Sequence, residues 1–219
     1  MRLSDGGNLP PEIPAADRSR TLDVEAYRKA EGLREQLLVI NKLSYLEMGE
    51  ALILYDLYGE CAAQELHWHP ALEIGARFGC STLTLARAVS AHSGAPLVSV
   101  DPHGWVQTQG HHPASLAALW QNVHAAGLER YVMPVLSRSS VASTVVQGPF
   151  CLVFIDGAHD TGSVEVDIGL FYKRVVPGGI LCGHDYQQEN RSVADAVDDW
   201  CVNRKWTLEV RQSIWIVRM

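Results

Sequence analysis

The sequence predicts an α/β fold, a doubly wound and mainly parallel sheet with helices at its N-terminal end and an antiparallel hairpin at its C-terminal end. Three observations predict it. From residue 70 onward, five short apolar runs alternate with stretches of helical periodicity. Four of those runs lead into Gly, Asp or His-Asp, polar punctuation at what would be a strand's carboxyl end. The last two runs, Thr207 to Arg211 and Ile214 to Arg218, are separated by two residues, the spacing of a hairpin. With the hairpin the sheet has seven strands.

Residues 1–19 hold Gly6, Gly7, Pro10, Pro11 and Pro14 and read as a flexible or extended arm. Residues 20–64 read as N-terminal helices, a lid or an oligomer contact. Thr21 or Asp23 caps the first, which runs to about Ile40. The second carries Leu46, Met48, Leu52, Ile53, Tyr55, Leu57 and Tyr58 and stops near Gly59. Residues 65–219 form the main domain. It opens with Glu65-Leu-His-Trp-His-Pro70, in which His67 and His69 have the spacing of a strand-borne metal pair but no further ligand nearby, so a surface turn is expected.

The stretch Pro70-Ala-Leu-Glu-Ile-Gly-Ala-Arg-Phe-Gly-Cys-Ser-Thr82 organises the rest. It reads as strand, glycine turn, helix, an arrangement that presents bare backbone and unpaired N–H groups to a ligand. Gly75 and Gly79 are four apart with Arg77 between them, which is not the dinucleotide fingerprint. Leu97 to Asp101 is the second strand, and Asp101 at its end is placed to accept hydrogen bonds from ribose hydroxyls. A loop from His103 to Pro113 carries Trp105, His111 and His112, candidates with Tyr45 and Met48 for a wall over the site. Ser115 caps the next helix, which Gly127 ends. Val132 to Leu136 is the third strand, and Pro134 places it near a sheet edge. Phe150 to Asp156 is apolar at nearly every position, as a central parallel strand must be. Ser163 opens a helix to about Val175, Pro177-Gly-Gly179 makes a turn, and Ile180 to Tyr186 is the fifth strand. Ser192 opens the last helix. Asp160 and Asp167 read as solvated carboxylates at the start and on the face of their helix.

Composition sets the outer bounds. The chain is 47% hydrophobic with a formal net charge of -7, which fits one soluble domain and argues against a nucleic-acid partner. No run is apolar enough for a membrane span and no signal-peptide pattern is present, so a cytoplasmic protein is expected. Cys61, Cys80, Cys151, Cys182 and Cys201 are odd in number and lack a CxxC pair, and reduced, mostly buried thiols are expected.

The run Glu73-Ile-Gly75…Gly79-Cys-Ser-Thr82, then Val100-Asp101, Ile155-Asp-Gly-Ala-His-Asp160 and Pro177-Gly-Gly-Ile…Gly183-His-Asp-Tyr186, resembles the class I S-adenosylmethionine-dependent methyltransferases. More narrowly it is similar to their small-molecule O-methyltransferase branch, which includes relatives of macrolide-sugar O-methyltransferases. The likeness spans roughly residues 65–219 and implies a Rossmann-like sheet. It implies that Glu73, Gly75, Gly79 and Ser81 line the cofactor site, that Asp101 takes the ribose, that Ser139 or Ser140 lies near the adenine, and that Asp156 sits beside the methyl donor. Arg77 departs from the glycine many such enzymes carry.

Methyl transfer is an in-line displacement that also requires removal of the acceptor's proton. Asp156 and Asp185 end neighbouring strands if the order follows the family. Two such carboxylates repel unless one is protonated or a cation lies between them, which suits Mg²⁺. Related metal-dependent enzymes use a third acidic or amide ligand here, where this chain has His184 and Tyr186. His159 or His184 is the candidate general base, or a ligand for a softer metal. The expected activity is transfer of a methyl group to a hydroxylated small molecule, with no nucleic-acid or membrane partner and a homo-oligomer left open. A noncatalytic cofactor-binding module and a nicotinamide-dependent oxidoreductase are the alternatives.

Overall fold

The computed structural model describes residues 21–43, 46–103, 116–187 and 191–219. Seven strands form one sheet: β1 (Ala71–Ile74), β2 (Leu97–Asp101), β3 (Val132–Leu136), β4 (Phe150–Ile155), β5 (Val175–Gly183), β6 (Leu208–Arg211) and β7 (Ile214–Arg218). Their order is β3-β2-β1-β4-β5-β7-β6. The first five are parallel, and β7 runs antiparallel to both β5 and β6. The expected seven-stranded, doubly wound sheet with its closing hairpin is therefore the fold. β3 is an edge strand, the position that tolerates Pro134 and its missing N–H. The order reverses between β1 and β4, and the carboxyl ends of these central strands flank that crevice.

Eight α-helices lie among the described residues: α1 (Val24–Lys29), α2 (Leu33–Ile40), α3 (Met48–Ala63), α4 (Cys80–Ala91), α5 (Leu116–Ala125), α6 (Ser139–Ala142), α7 (Thr161–Phe171) and α8 (Ser192–Arg204). They cover both faces. One buried cluster joins the N-terminal helices, α4 and α5 to the sheet through residues such as Leu54, Leu57, Leu83, Leu119 and Phe154. The other joins α7 and α8 to the opposite face through Val153, Ile168, Phe171, Val197 and Trp215. β4 is buried at every position, which is why its sequence reads as unbroken apolar residues.

Several local expectations are corrected. The single helix expected from Thr21 or Asp23 to Ile40 is two, α1 and α2, because Ala30 and Gly32 are extended and Gly32 caps the second. Asp23, not Thr21, caps the first by accepting from Ala26 N–H. The second N-terminal helix runs past Gly59 to Ala63. The helix expected from Ser163 to Val175 starts at Thr161, capped by Asp160, and stops at Phe171. Pro177-Gly-Gly179 is not a free turn but lies inside β5, where the pairing register with β4 shifts between Phe150 and Leu152 and Gly178 takes φ +81. Looped-out residues of this kind bend a strand without ending it. β5 stops at Gly183, three residues short of the expected Tyr186. Asp167 is buried at 5% exposure, not solvated. His67 lies in a 3₁₀ turn, Leu66–Trp68, with Nδ1 buried.

All five cysteines are free and buried. Burial pushes the Cys80 thiol up to about 12 and that of Cys201 up to about 11. No helix of the described residues is long and apolar enough to cross a membrane. The arm at residues 1–19, Tyr45, Trp105, His111, His112 and Ser115 lie outside the described residues. Met48 starts α3 and packs against the first core cluster.

Candidate active site

The site is built at the carboxyl ends of β1, β2, β4 and β5, where backbone bonds continue past the strands. Gly75 N–H donates to Val100 O at 2.9 Å, Asp156 N–H to Ile74 O at 2.8 Å, and His184 N–H to Ile155 O at 3.1 Å. These bonds fix where the following side chains leave the sheet. Gly75 has φ +97, and a Cβ there would lie 2.0 Å from the carbonyl oxygen of Asp156. Only glycine lets the two strand ends approach this closely. Gly79 has φ +96 and caps α4.

Asp101 leaves the end of β2 and holds the turn above it. Its Oδ2 accepts from the backbone N–H of Ala76 at 2.9 Å and of Arg77 at 2.8 Å, and Oδ1 from His103 N–H at 2.7 Å. The carboxylate stays partly accessible, at 16% side-chain exposure, so its oxygens can take further donors from the crevice. Arg77 occupies its place at φ +48, a left-handed conformation more usual for glycine, and its N–H bond to Asp101 helps hold it there.

Glu73 lies beneath the turn and is fully buried. Its Oε2 accepts from Thr82 Oγ1 and Ser99 Oγ, both at 2.6 Å, while Oε1 is buried without a hydrogen-bond partner. Burial raises its pKa to about 7, a rise opposed by the hydroxyls of Ser81, Ser99 and Thr82 and aided by the charge of Asp156. The folded carboxyl thus holds its proton where the unfolded one has lost it. The associated stability is complete below the unfolded value and is lost as pH rises through about 7. Glu73→Gln, which cannot ionise, is expected to gain in melting temperature relative to the parent between pH 5 and pH 8. Parallel melting curves across the pH range that show no such gain would place the charge elsewhere.

At the centre, the Asp156, His184 and Asp185 side chains each offer a ligand atom within 4.8 Å of the others. His184 Nδ1 is 3.5 Å from Asp156 Oδ1 and 3.4 Å from Asp185 Oδ1, and Nε2 is 3.0 Å from Glu50 Oε2. Burial alone would lower the His184 pKa, but the carboxylates of Asp156, Asp185 and Glu50 outweigh it and push the imidazole up to about 12. His159 Nε2 approaches Asp185 Oδ2 at 3.1 Å and Asp156 Oδ1 at 3.7 Å, with the ring half exposed at the mouth. Its pKa is raised, first by the neighbouring Asp156 carboxylate, against the effect of burial. Burial would raise the Asp185 carboxyl, but the nearby His184 imidazole and its charge hold it low. Asp185 sits at φ +59, a left-handed conformation that aspartate tolerates better than most residues.

Of the residues singled out in the sequence, Asp156, His159, His184 and Asp185 form one cluster, and Glu73, Gly75, Gly79, Ser81 and Asp101 form the glycine turn and its supports. Ser139 begins α6 beyond β3. It lies beside the buried Asp167, whose pKa burial raises and the Ser139 hydroxyl lowers. Sequence reasoning missed Glu50 and Ser213. Ser213 donates to Glu50 Oε1, so the first turn of α3 and the turn of the hairpin both reach the cluster. The local signal, Glu47 and Glu50 at capping-box spacing, reads as a helix start and nothing more.

The family model for a methyltransferase domain matches residues 72–186, which hold every motif of this site. The chain belongs to that methyltransferase family. The expected enzyme class, a methyltransferase dependent on S-adenosylmethionine, follows from it. Solved structures share the methyltransferase's fold. The O-methyltransferase NovP aligns with a TM-score of 0.69 at 14% identity, covering 93% of this chain and 97% of its own. CalS11, a calicheamicin methyltransferase, gives 0.62 at 13%, covering 96% and 93%. An O-methyltransferase from Bacillus cereus, solved in complex with SAH, gives 0.60 at 16%, covering 93% and 100%. No curated protein sequence matches the chain.

Proposed function

We propose that the methyltransferase transfers the methyl group of S-adenosylmethionine to a hydroxyl of a small molecule, with a divalent cation held at Asp156, His184 and Asp185. The convergence of two carboxylates and an imidazole beside the glycine turn carries the reading. The likeness to folds solved as O-methyltransferases supports it.

The residues present fit both groups. A partly open carboxylate at the end of β2 suits a ribose diol, and the Gly75 and Gly79 turn with the start of α4 suits close approach of a ligand to bare backbone. Two carboxylates and one imidazole suit a divalent ion, whose binding would displace the proton from His184 Nδ1, with Mn²⁺ favoured over Mg²⁺ if that nitrogen takes part. Bound there, the cofactor supplies an electrophilic methyl carbon and the cation lowers the pKa of a neighbouring hydroxyl.

The chain's own residues do the rest. Asp101 orients the ribose, and Glu73 orders the turn from beneath. Ser139, steadied by Asp167, stands at the adenine side. Asp156 and Asp185 fix the acceptor hydroxyl in line with the methyl group, where alignment lowers the barrier. His159 takes the hydroxyl proton, because it is half exposed at the mouth and faces carboxylates only through Nε2, whereas both nitrogens of His184 face carboxylates.

Calorimetric titration of S-adenosylhomocysteine into metal-stripped protein, repeated with Mn²⁺ or Mg²⁺ and with catechol and hydroxylated-sugar probes, tests the reading. Product binding at micromolar concentration followed by a metal-dependent probe event is the expected outcome. Absence of product binding overturns it. Probe binding without a metal effect removes the cation from the site.

A further inference from the structure

We propose that Glu50 is a positioning residue of the reaction centre, holding the His184 ring so that Nδ1 faces Asp156 and Asp185. This rests on the reading of Asp156, His184 and Asp185 as the centre of methyl transfer.

Glu50 stands in the first turn of α3, and its residue exposure is 4%. A carboxylate so buried is costly unless donors surround it. Three do. Glu47 N–H donates to Oε2 at 2.8 Å, His184 Nε2–H donates to the same oxygen at 3.0 Å, and Ser213 Oγ–H donates to Oε1. The bond from Glu47 completes a capping box, a role that Glu fills at many helix starts with its side chain in water. Capping accounts for neither the burial nor the two partners that lie far away in sequence.

The helix start lies tight against the hairpin turn. Gly49 packs so close to the hairpin turn that a Cβ would lie 2.2 Å from the Gln212 side chain. The hairpin turn is itself tied to the loop after β5, because Tyr186 N–H donates to Ser213 O at 3.0 Å. Glu50 is therefore clamped between the loop that carries His184 and Asp185 and the turn that braces that loop. An imidazole has two ring nitrogens, and a carboxylate fixed on Nε2 decides which one faces the centre. Carboxylate–histidine pairs behind a metal ligand do this work in other sites. Neither the motifs nor the family model's span, residues 72–186, includes Glu50.

The test uses full-length protein labelled with ¹⁵N-histidine. The downfield Nε2–H resonance of His184, assigned by its loss in His184→Asn, reports the bond to Glu50 directly. Glu50→Asp keeps a carboxylate at the helix start but withdraws it from Nε2, and Glu50→Gln keeps the reach and an acceptor oxygen. In Glu50→Asp the resonance is expected to vanish, and the Mn²⁺ affinity of protein saturated with S-adenosylhomocysteine is expected to fall about 10- to 100-fold. In Glu50→Gln the resonance and most of the affinity return. Glu50→Ala should resemble the Asp variant; if it does not fold, the Asp and Gln pair decides alone. A folded Glu50→Asp protein with resonance and Mn²⁺ affinity unchanged overturns the proposal. Failure of the parent to bind S-adenosylhomocysteine overturns the methyltransferase reading instead, and the resonance still decides whether Glu50 holds His184. A parent that binds S-adenosylhomocysteine but not Mn²⁺ removes the cation, and the resonance again decides for or against Glu50.

Discussion

Asp156→Asn is expected to bind S-adenosylhomocysteine within about threefold of the parent while its turnover falls by about 10²- to 10⁴-fold, the range for loss of a group that handles the acceptor's proton or its activation. The substitution keeps shape and hydrogen-bonding capacity but removes one of the charges that converge on His184 and His159. Asp101 and the glycine turn, which would hold the cofactor, are left intact. The measurement is a methyl-transfer assay on the first hydroxylated acceptor identified, paired with calorimetry. Asp160→Ala is the control, because Asp160 caps α7 from an exposed position and faces no other member of the cluster except through His159. If Asp156→Asn turned over at the parent rate, Asp156 would not belong to the chemistry.

The second large effect is on the fold. Gly75→Ala should lower stability by about 2–5 kcal/mol, combining strain at positive φ with overlap against backbone. For a chain of this size that corresponds to a fall of roughly 5–20 °C in melting temperature. The added methyl would stand 2.0 Å from the Asp156 carbonyl oxygen, and backbone on both sides leaves no flexible side chain to yield. Because the collision pushes the ends of β1 and β4 apart, cofactor binding and turnover should suffer together with stability. Gly127→Ala is the comparison: it also sits at positive φ, +69, but a Cβ there meets nothing within 4 Å. A melting curve for Gly75→Ala no lower than that of Gly127→Ala would show that the strand ends can separate freely.

Much of this was legible in the sequence because each motif is local. A strand that ends on Gly75, on Asp101, on Asp156 or just before His184 announces itself through a few consecutive residues, and a parallel sheet then collects those ends along one edge. The hairpin was equally local. What escaped notice depends on distance or context. Glu50 meets His184 across 134 positions and Ser213 across 163, and no pattern in a single sequence couples such pairs. Asp167 reads as an ordinary helix-face acid, and only packing against Gly157 and Ser139 shows it to be enclosed. Pro177-Gly-Gly179 has the composition of a turn, yet β5 keeps its partners on either side of it, because pairing of the flanking residues with β4 outweighs the local preference. At Gly32 the opposite holds: helical periodicity runs straight through a residue whose backbone is extended.

The cysteines give the molecule an internal gauge of its own opening. A thiol reagent needs both access and a thiolate, and the native state withholds access at all five positions, with burial also keeping Cys80, Cys182 and Cys201 protonated. The sulfur atoms are spread through the structure, on α3, at the first residue of α4, on β4, on β5 and on α8. Labelling is therefore slow until the chain around each sulfur lets go, and its rate at each position measures how often that part of the molecule opens. Cys80, at the start of the helix that follows the glycine turn, reports on the turn proposed to seat the cofactor. Cys201, on the helix packed against the far face, reports on a part remote from it. A ligand that tightens the crevice should slow the first clock more than the second.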